Sequence, residues 1–328
     1  ALAWWLVGHG VAFGETGGNK LIGEGALAFS PKLSEDNMSG VALKYASWML
    51  QWAFTSTSTT IVSGAIAERI TLHAYLIHTV VMTSLVYPVA AHWAWSDDGW
   101  ASAYLPDDAD FLVGCGVTDF SGSGVVHVTG GLTALIAAVL TRARGGRFDS
   151  DGNACRLPKQ SPALNVLGGL TLWTGWFFFN ASSVRSFSEH ADSVRIKLVE
   201  NVGLRSAAPM FTCYYFLARG RFDSFMATNS LLGGLVAITA SSPLVETEAA
   251  FVIGVMGGVL YFYGSRWLLR FQVDDVVDAS VVHGLCGLWG MIATGLFSTR
   301  EGYARAYSQE RAADCCGLFY GCGGNILG

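Results

Sequence analysis

Charged side chains are scarce in this chain: Asp, Glu, Lys and Arg together make up 14% of its 328 residues, against 52% apolar ones. Too little polar surface remains to clothe ordinary soluble domains of that length, so the apolar excess has to lie in lipid. An excess of either sign is missing too. The formal net charge of -5 is small and scattered, which removes nucleic acid from the candidate partners. Metal-type cysteine pairs are absent: Cys115, Cys155, Cys213, Cys286, Cys315, Cys316 and Cys322 are odd in number and show no C-x2-C spacing. Several lie within apolar runs, so they are expected to pack as buried thiols. No cleavable signal peptide is visible, but the start looks truncated, so its absence says nothing of targeting.

What is present is a series of apolar stretches, each near the roughly 20 residues that a spanning helix needs. Full-length candidates fall at 44–67, 70–95, 120–141, 163–183, 199–218, 224–241, 248–270 and 277–298. The chain also opens inside an apolar run, 2–13, and stops inside another, 315–328, which is expected of a fragment of a longer protein. The weakest candidate is 199–218, because Glu200, Arg205 and Pro209 suit other helices or a cavity better than lipid.

The most basic connection, 141–161, holds Arg142, Arg144, Arg147, Arg156 and Lys159, and the positive-inside rule puts it in the cytoplasm. By alternation 218–223 and 264–275 also fall inside, while 95–118 and 241–248, which lack Lys and Arg, fall outside. Small residues recur at packing intervals, as in Gly130, Gly131 and Ala134, and allow helix backbones to approach closely.

An internal echo is more specific. Val125-Val126-His127 follows Asp119 by a few residues, and Val281-Val282-His283 follows Asp278, each with glycine close behind. The first lies on the third full segment and the second on the eighth, so the two helices run in opposite directions. At 1.5 Å per residue each histidine lies roughly 8 to 13 Å deep, so the two imidazoles approach the midplane from opposite faces. Inverted repeats with a site at their interface have this geometry.

Ionisable groups inside a membrane are functional candidates by default, and a neutral imidazole offers one donor and one acceptor to a small polar solute. The plainer alternative is that His127 and His283 hydrogen-bond neighbouring helices; haem or metal ligation would need further ligands. Asp119 suits a helix N-cap or a cation attractor, and Asp278 is similar, with Asp274 and Asp275 expected as surface charges. Trp93 and Trp100 fit an interfacial aromatic belt, whereas Trp95 beside acidic residues can hold a desolvated cation. The hydroxyl run 55–60 is expected to satisfy itself on the helix backbone, and Phe54 is on pattern alone a core residue.

Taken together, these residues resemble the ammonium transporter family, the Amt/Mep/Rh group, and most of all its Amt branch. The resemblance rests on Trp4-Trp5-Leu6 with Ala12-Phe13-Gly14, Gln51-Trp52-Ala53-Phe54, Gly64-Ala65-Ile66-Ala67-Glu68-Arg69, Tyr87-Pro88, and His92-Trp93-Ala94-Trp95. It continues through Asp119-Phe120-Ser121-Gly122 to His127, Gly175-Trp176-Phe177-Phe178-Phe179-Asn180, and Asp278 to His283-Gly284. It implies an all-α integral membrane protein: an eleven-helix inverted-repeat bundle, here truncated at both ends, with 1–328 forming one polytopic domain without the first helix and most of the last. It also implies a homotrimer in the plasma membrane, a pore in each subunit, ammonium or ammonia as substrate with methylammonium as analogue, and no cofactor. By resemblance Trp95 is the outer cation-holding indole, Phe54 a gate beneath it, His127 and His283 the pore imidazoles, and Asp119 the carboxylate shaping the recruitment site. A second gating phenylalanine has no counterpart near Val202-Gly203-Leu204, and a recruiting hydroxyl is not placed around Ser206 to Ala208, so a single-ring gate is expected. An ammonium sensor with little flux and an Rh-type gas channel are the alternatives, and Trp95 argues against the latter.

Overall fold

In a computed structural model the chain is described over residues 1–14, 19–24, 28–31, 38–184, 189–203 and 223–322. Among those residues the regular elements are all helices, joined by turns and irregular connections, with two isolated bridges, Ser102 with Val117 and Phe148 with Ala154. We label the main helices α1 (Trp4–Gly8 continuing as His9–Phe13), α2 (Met38–Ala65), α3 (Leu72–Trp95), α4 (Ser123–Thr141), α5 (Pro162–Ala181), α6 (Glu189–Gly203), α7 (Ser224–Ile238), α8 (Thr247–Arg270) and α9 (Ser280–Phe297). Helices α3, α4, α8 and α9 are long and apolar enough to cross a membrane. Seven of the eight full-length candidates begin and end within six residues of a described helix's bounds, and the eighth, 199–218, runs into residues outside the described ones.

The helices are inside out by soluble standards. On α4 the buried side carries Gly130, Gly131, Ala134 and Ala138, while Leu132, Ile136, Val139 and Leu140 are exposed. On α5 Leu164, Leu167, Leu170 and Phe178 are exposed as well. Large apolar side chains facing out and small ones facing in is the pattern of helices packed in lipid, where close backbone approach holds the bundle together. Helix α7 is enclosed along its length, from Ser230 through Ile238, and is the pillar around which α5, α8 and α9 pack.

Three expectations can be set against the structure. First, the span at 199–218 falls mostly outside the described residues: 199–203 are the last described part of α6, and 204–222 lie outside them. What is seen of it faces protein, for Asn201 donates to the carbonyls of Ser242 (2.8 Å) and Val245 (2.9 Å), and Glu200 accepts from the Thr247 hydroxyl. Second, four cysteines are not thiols. Cys115 is bonded to Cys315 and Cys316 to Cys322, with Cα atoms 5.7 and 5.1 Å apart, and Cys155 and Cys286 remain thiols. The apolar run at 315–328 therefore starts as a disulfide-closed turn, with a short 3-10 turn at Leu318–Tyr320; 323–328 lie outside the described residues.

Third, Asp274 and Asp275 are buried rather than surface charges. Asp274 joins the inner ends of α2, α4 and α8: its carboxylate accepts from Arg69 Nη1 at 3.0 Å and Arg144 Nε at 2.9 Å, with Arg147 Nε at 3.3 Å. Burial pushes this carboxyl upward, but the hydrogen bonds from Arg144 and the charges of Arg144 and Arg69 outweigh it and hold it below the ordinary carboxylate value. The charge rule assigned this basic cluster to the cytoplasmic side, and the disulfides lie at the opposite end of the bundle, on the side it put outside.

Candidate functional site

His127 and His283 meet. Their Nδ1 atoms are 3.2 Å apart and hydrogen-bonded, so one ring donates and the other accepts, and the ring centroids lie 5.1 Å apart at 21°. Each histidine sits in a π-helical turn, Ser123–Val128 in α4 and Ser280–Leu285 in α9. Such a turn inserts an extra residue into the helix and re-aims its side chains, and it is frequent at functional sites. Close approach of the two helices depends on Gly131: a Cβ there would lie 2.5 Å from Gly284 Cα and 2.8 Å from the His283 carbonyl carbon. His127 Nε2 is buried and has no hydrogen-bond partner.

An aromatic column continues from the pair toward the outer face. Trp176 and Phe179 of α5 lie nearly parallel to the His127 ring at 5.2 and 5.6 Å, and the Trp176 indole donates to Thr239 Oγ1 at 2.8 Å. Phe179 in turn contacts Phe54 of α2 at 4.6 Å, and Phe54 contacts Trp95 of α3 at 5.5 Å. Two phenylalanine rings, Phe54 and Phe179, are therefore in contact along this column. Phe179 belongs to the Gly175 to Asn180 motif, and Val202, near which no second ring is expected, packs in the hydrophobic core. Four residues beyond Phe179 the Ser183 hydroxyl is buried without a partner. Residues 206–208, the expected neighbourhood of a recruiting hydroxyl, lie outside the described residues.

Asp119 organises the outer end. Its two carboxylate oxygens accept backbone N–H groups from Gly122 (3.0 Å), Gly124 (2.9 Å) and Val125 (2.8 Å), and its carbonyl accepts the Trp95 indole N–H at 2.7 Å. It therefore acts as a cap for α4 and as the anchor of Trp95. The turn between them needs glycine: Gly122 has φ 102°, and a Cβ there would press on Val126 and on the Trp95 ring.

At the inner end the repeat is matched by a different residue from the one expected. Asp275, not Asp278, stands eight residues before its histidine, as Asp119 does before His127. Asp275 Oδ2 accepts from the backbone N–H of Ser280, five residues on, just as Asp119 Oδ2 does from Gly124. Asp278 instead accepts from Tyr261 (2.9 Å) and Ser265 (2.8 Å) and ties α8 to α9. The hydroxyl run on α2 mostly bonds its own helix, as Ser56, Thr57, Thr59 and Thr60 do, whereas Thr55 and Ser58 hydroxyls are buried without partners. Trp93 and Trp100 are half exposed and pack edge to face, as belt residues do.

Comparison with known proteins gives this geometry a family. The model for the Ammonium Transporter Family matches residues 1–321. Ammonium transporter 1 member 2 of Arabidopsis thaliana is 36% identical over 338 residues, covering 100% of this chain and 64% of that protein. Ammonium transporter Amt2 of Archaeoglobus fulgidus is 40% identical over 281 residues, covering 84% of this chain and 57% of that protein. The chain thus spans somewhat under two thirds of the length of these two relatives. A solved structure described as a sensor Amt protein superimposes with TM-score 0.76 at 28% identity, over 99% of this chain and 78% of that one. The chain is therefore a membrane protein that belongs to the ammonium transporter family.

Proposed function

We propose that this chain forms the conducting unit of a transporter for ammonium or ammonia, working as a homotrimer in the plasma membrane. The observation that carries the reading is the Nδ1 to Nδ1 contact of His127 and His283 at 3.2 Å, directly under a stack of aromatic rings. Neutral imidazoles so paired keep one nitrogen each free for a small polar solute and add no fixed charge to an apolar passage. Ammonium, or methylammonium as its analogue, first loses water against the faces of Trp95 and Phe54, which replace part of its hydration by attraction to the ring quadrupole. The acidic outer connection, with Asp97, Asp98, Asp107, Asp108 and Asp110, concentrates cations there. The unpartnered Ser183 hydroxyl, four residues beyond Phe179, is a further acceptor the ion could use. Phe54 and Phe179 close the way to hydrated ions, and size and charge do the rest. Below them either ammonia passes while the proton moves separately, or the ion passes intact; charge moved per methylammonium separates the two, since gas conduction alone moves none.

The test is methylammonium uptake by liposomes carrying the full-length protein. Replacing Trp95 by leucine removes the indole face, and the half-saturating concentration is expected to rise about tenfold, the equivalent of a desolvated cation–π contact. An unchanged value removes Trp95 from the site. A second reading, a sensor that binds ammonium with little flux, draws on the sensor Amt protein among the structural relatives. Saturable binding without uptake supports that reading against transport.

A further inference from the structure

The outer connection 96–118 is fastened to the segment 299–322 in two ways that the conducting column does not use. The first is covalent: the Cys115–Cys315 disulfide joins residues 200 apart in sequence. The second is Arg311, whose guanidinium donates to Asp107 Oδ1 (2.8 Å), Tyr303 Oη (2.9 Å) and the Ala103 carbonyl (3.0 Å), and lies 3.9 Å from the centre of the Phe111 ring. Tyr303 also donates to the Cys115 carbonyl at 3.3 Å. Both fastenings therefore converge on Cys115.

From Cys115 the chain runs four residues to Asp119, the residue whose carbonyl holds the Trp95 indole. Little slack is left on the way. Val117 donates to the Ala101 carbonyl at 2.7 Å, and Phe120 donates to the Ala240 carbonyl at 3.0 Å while its ring meets Tyr307 edge-on at 6.0 Å. Tyr307 stacks on Tyr303, so the rings continue the fastening from Arg311 to the residue beside Asp119. Disulfides persist where the compartment is oxidising, which fits the outer side of the membrane.

We propose that the Cys115–Cys315 disulfide and Arg311 form a clasp that positions Asp119, and through its carbonyl the Trp95 indole, for cation binding. Cys115, Cys315, Tyr303 and Arg311 are positioning residues, since none touches the column of aromatic and imidazole rings. The inference rests on the outer cation site of the proposed function. The Cys316–Cys322 bond closes a loop with a separation of only 6 residues and serves as the internal control.

The experiment uses the full-length protein purified from membranes, first mapping its disulfides under non-reducing conditions. A Cys115–Cys315 cross-linked peptide is expected, and free thiols at both positions overturn the proposal. The half-saturating methylammonium concentration is then read twice, from uptake by liposomes and from ligand-dependent thermal stabilisation, which needs no flux. Replacing both Cys115 and Cys315 by alanine is expected to raise it about fivefold in both readings with the maximal rate kept, because a site that must be ordered on binding loses affinity. Replacing both Cys316 and Cys322 by alanine is expected to leave it unchanged. Should the first pair fail to fold, Arg311→Gln keeps the disulfide and is expected to move the constant in the same direction. A fall in maximal rate alone, with the half-saturating concentration untouched, overturns positioning and leaves the clasp a stability element. If the unmodified protein neither binds nor takes up methylammonium, the proposed function falls, and with it the site the clasp would serve. If it does both normally and the variants match it, only the clasp falls.

Discussion

A Gly131→Ala variant is expected to lose most of its methylammonium uptake and to be among the least stable single substitutions in the bundle. The added methyl collides with the backbone of Gly284 and His283 rather than with a side chain that can rotate away. One of the two histidine helices must therefore shift, and overpacking of this kind costs about 1 to 3 kcal/mol or more. The same shift pulls the Nδ1 atoms out of their 3.2 Å contact, so stability and uptake fall together. Gly168→Ala is the matched control: it lies within α5 with nothing within 4 Å of the added methyl, so it is expected to be neutral or slightly stabilising, as alanine is the better helix former. Melting temperature and uptake of the two variants, side by side, test the point. Equal values refute the claim that Gly131 sets the separation of the histidine helices.

Asp274→Asn is expected to destabilise the inner face without touching the column. The substitution leaves the guanidinium groups of Arg69, Arg144 and Arg147 around a neutral amide. Breaking one partner of a buried ion pair costs about 3 to 5 kcal/mol, because charge is left uncompensated. The sign of the pH dependence follows from the lowered native value of the carboxyl. An acid with a depressed folded-state value contributes its full stability above the unfolded value, and the contribution is lost as pH falls through the folded one. The difference in melting temperature between the native protein and the Asn variant should be constant from about pH 6 to 8 and shrink below about pH 4, near the ordinary carboxylate value. A difference that widens in acid contradicts the assignment.

Most of the helices were legible in the sequence because length and hydropathy pick out stretches able to cross a bilayer, and four of the described helices meet that measure. The histidine pair was legible from a repeated tripeptide, since an inverted repeat carries the same local pattern on two helices of opposite direction. The misreadings are tertiary in kind. Asp275 has the same eight-residue spacing to its histidine as Asp119, so its signal was present, but beside Asp274 it reads as solvated charge, and Asp278 stands nearer the histidine as the competing candidate. Phe179 stands in the Gly175 to Asn180 motif, but its contact with Phe54, 125 positions earlier, depends on how α5 packs on α2, which no local period encodes. The disulfides were missed for the same reason. Cys115 and Cys315 become neighbours only when the outer connections close over the bundle, and an odd cysteine count in an apolar chain pointed to free thiols.

All of this depends on His127 and His283 acting as one unit inside a passage for ammonium, and the most direct test is uptake of labelled methylammonium by the intact protein with each histidine, and then both, replaced by alanine. The account predicts that either single replacement lowers uptake by at least about tenfold and that the double replacement costs little more, because coupled groups are strongly non-additive. Uptake unchanged in the double variant, with the protein folded, would contradict it.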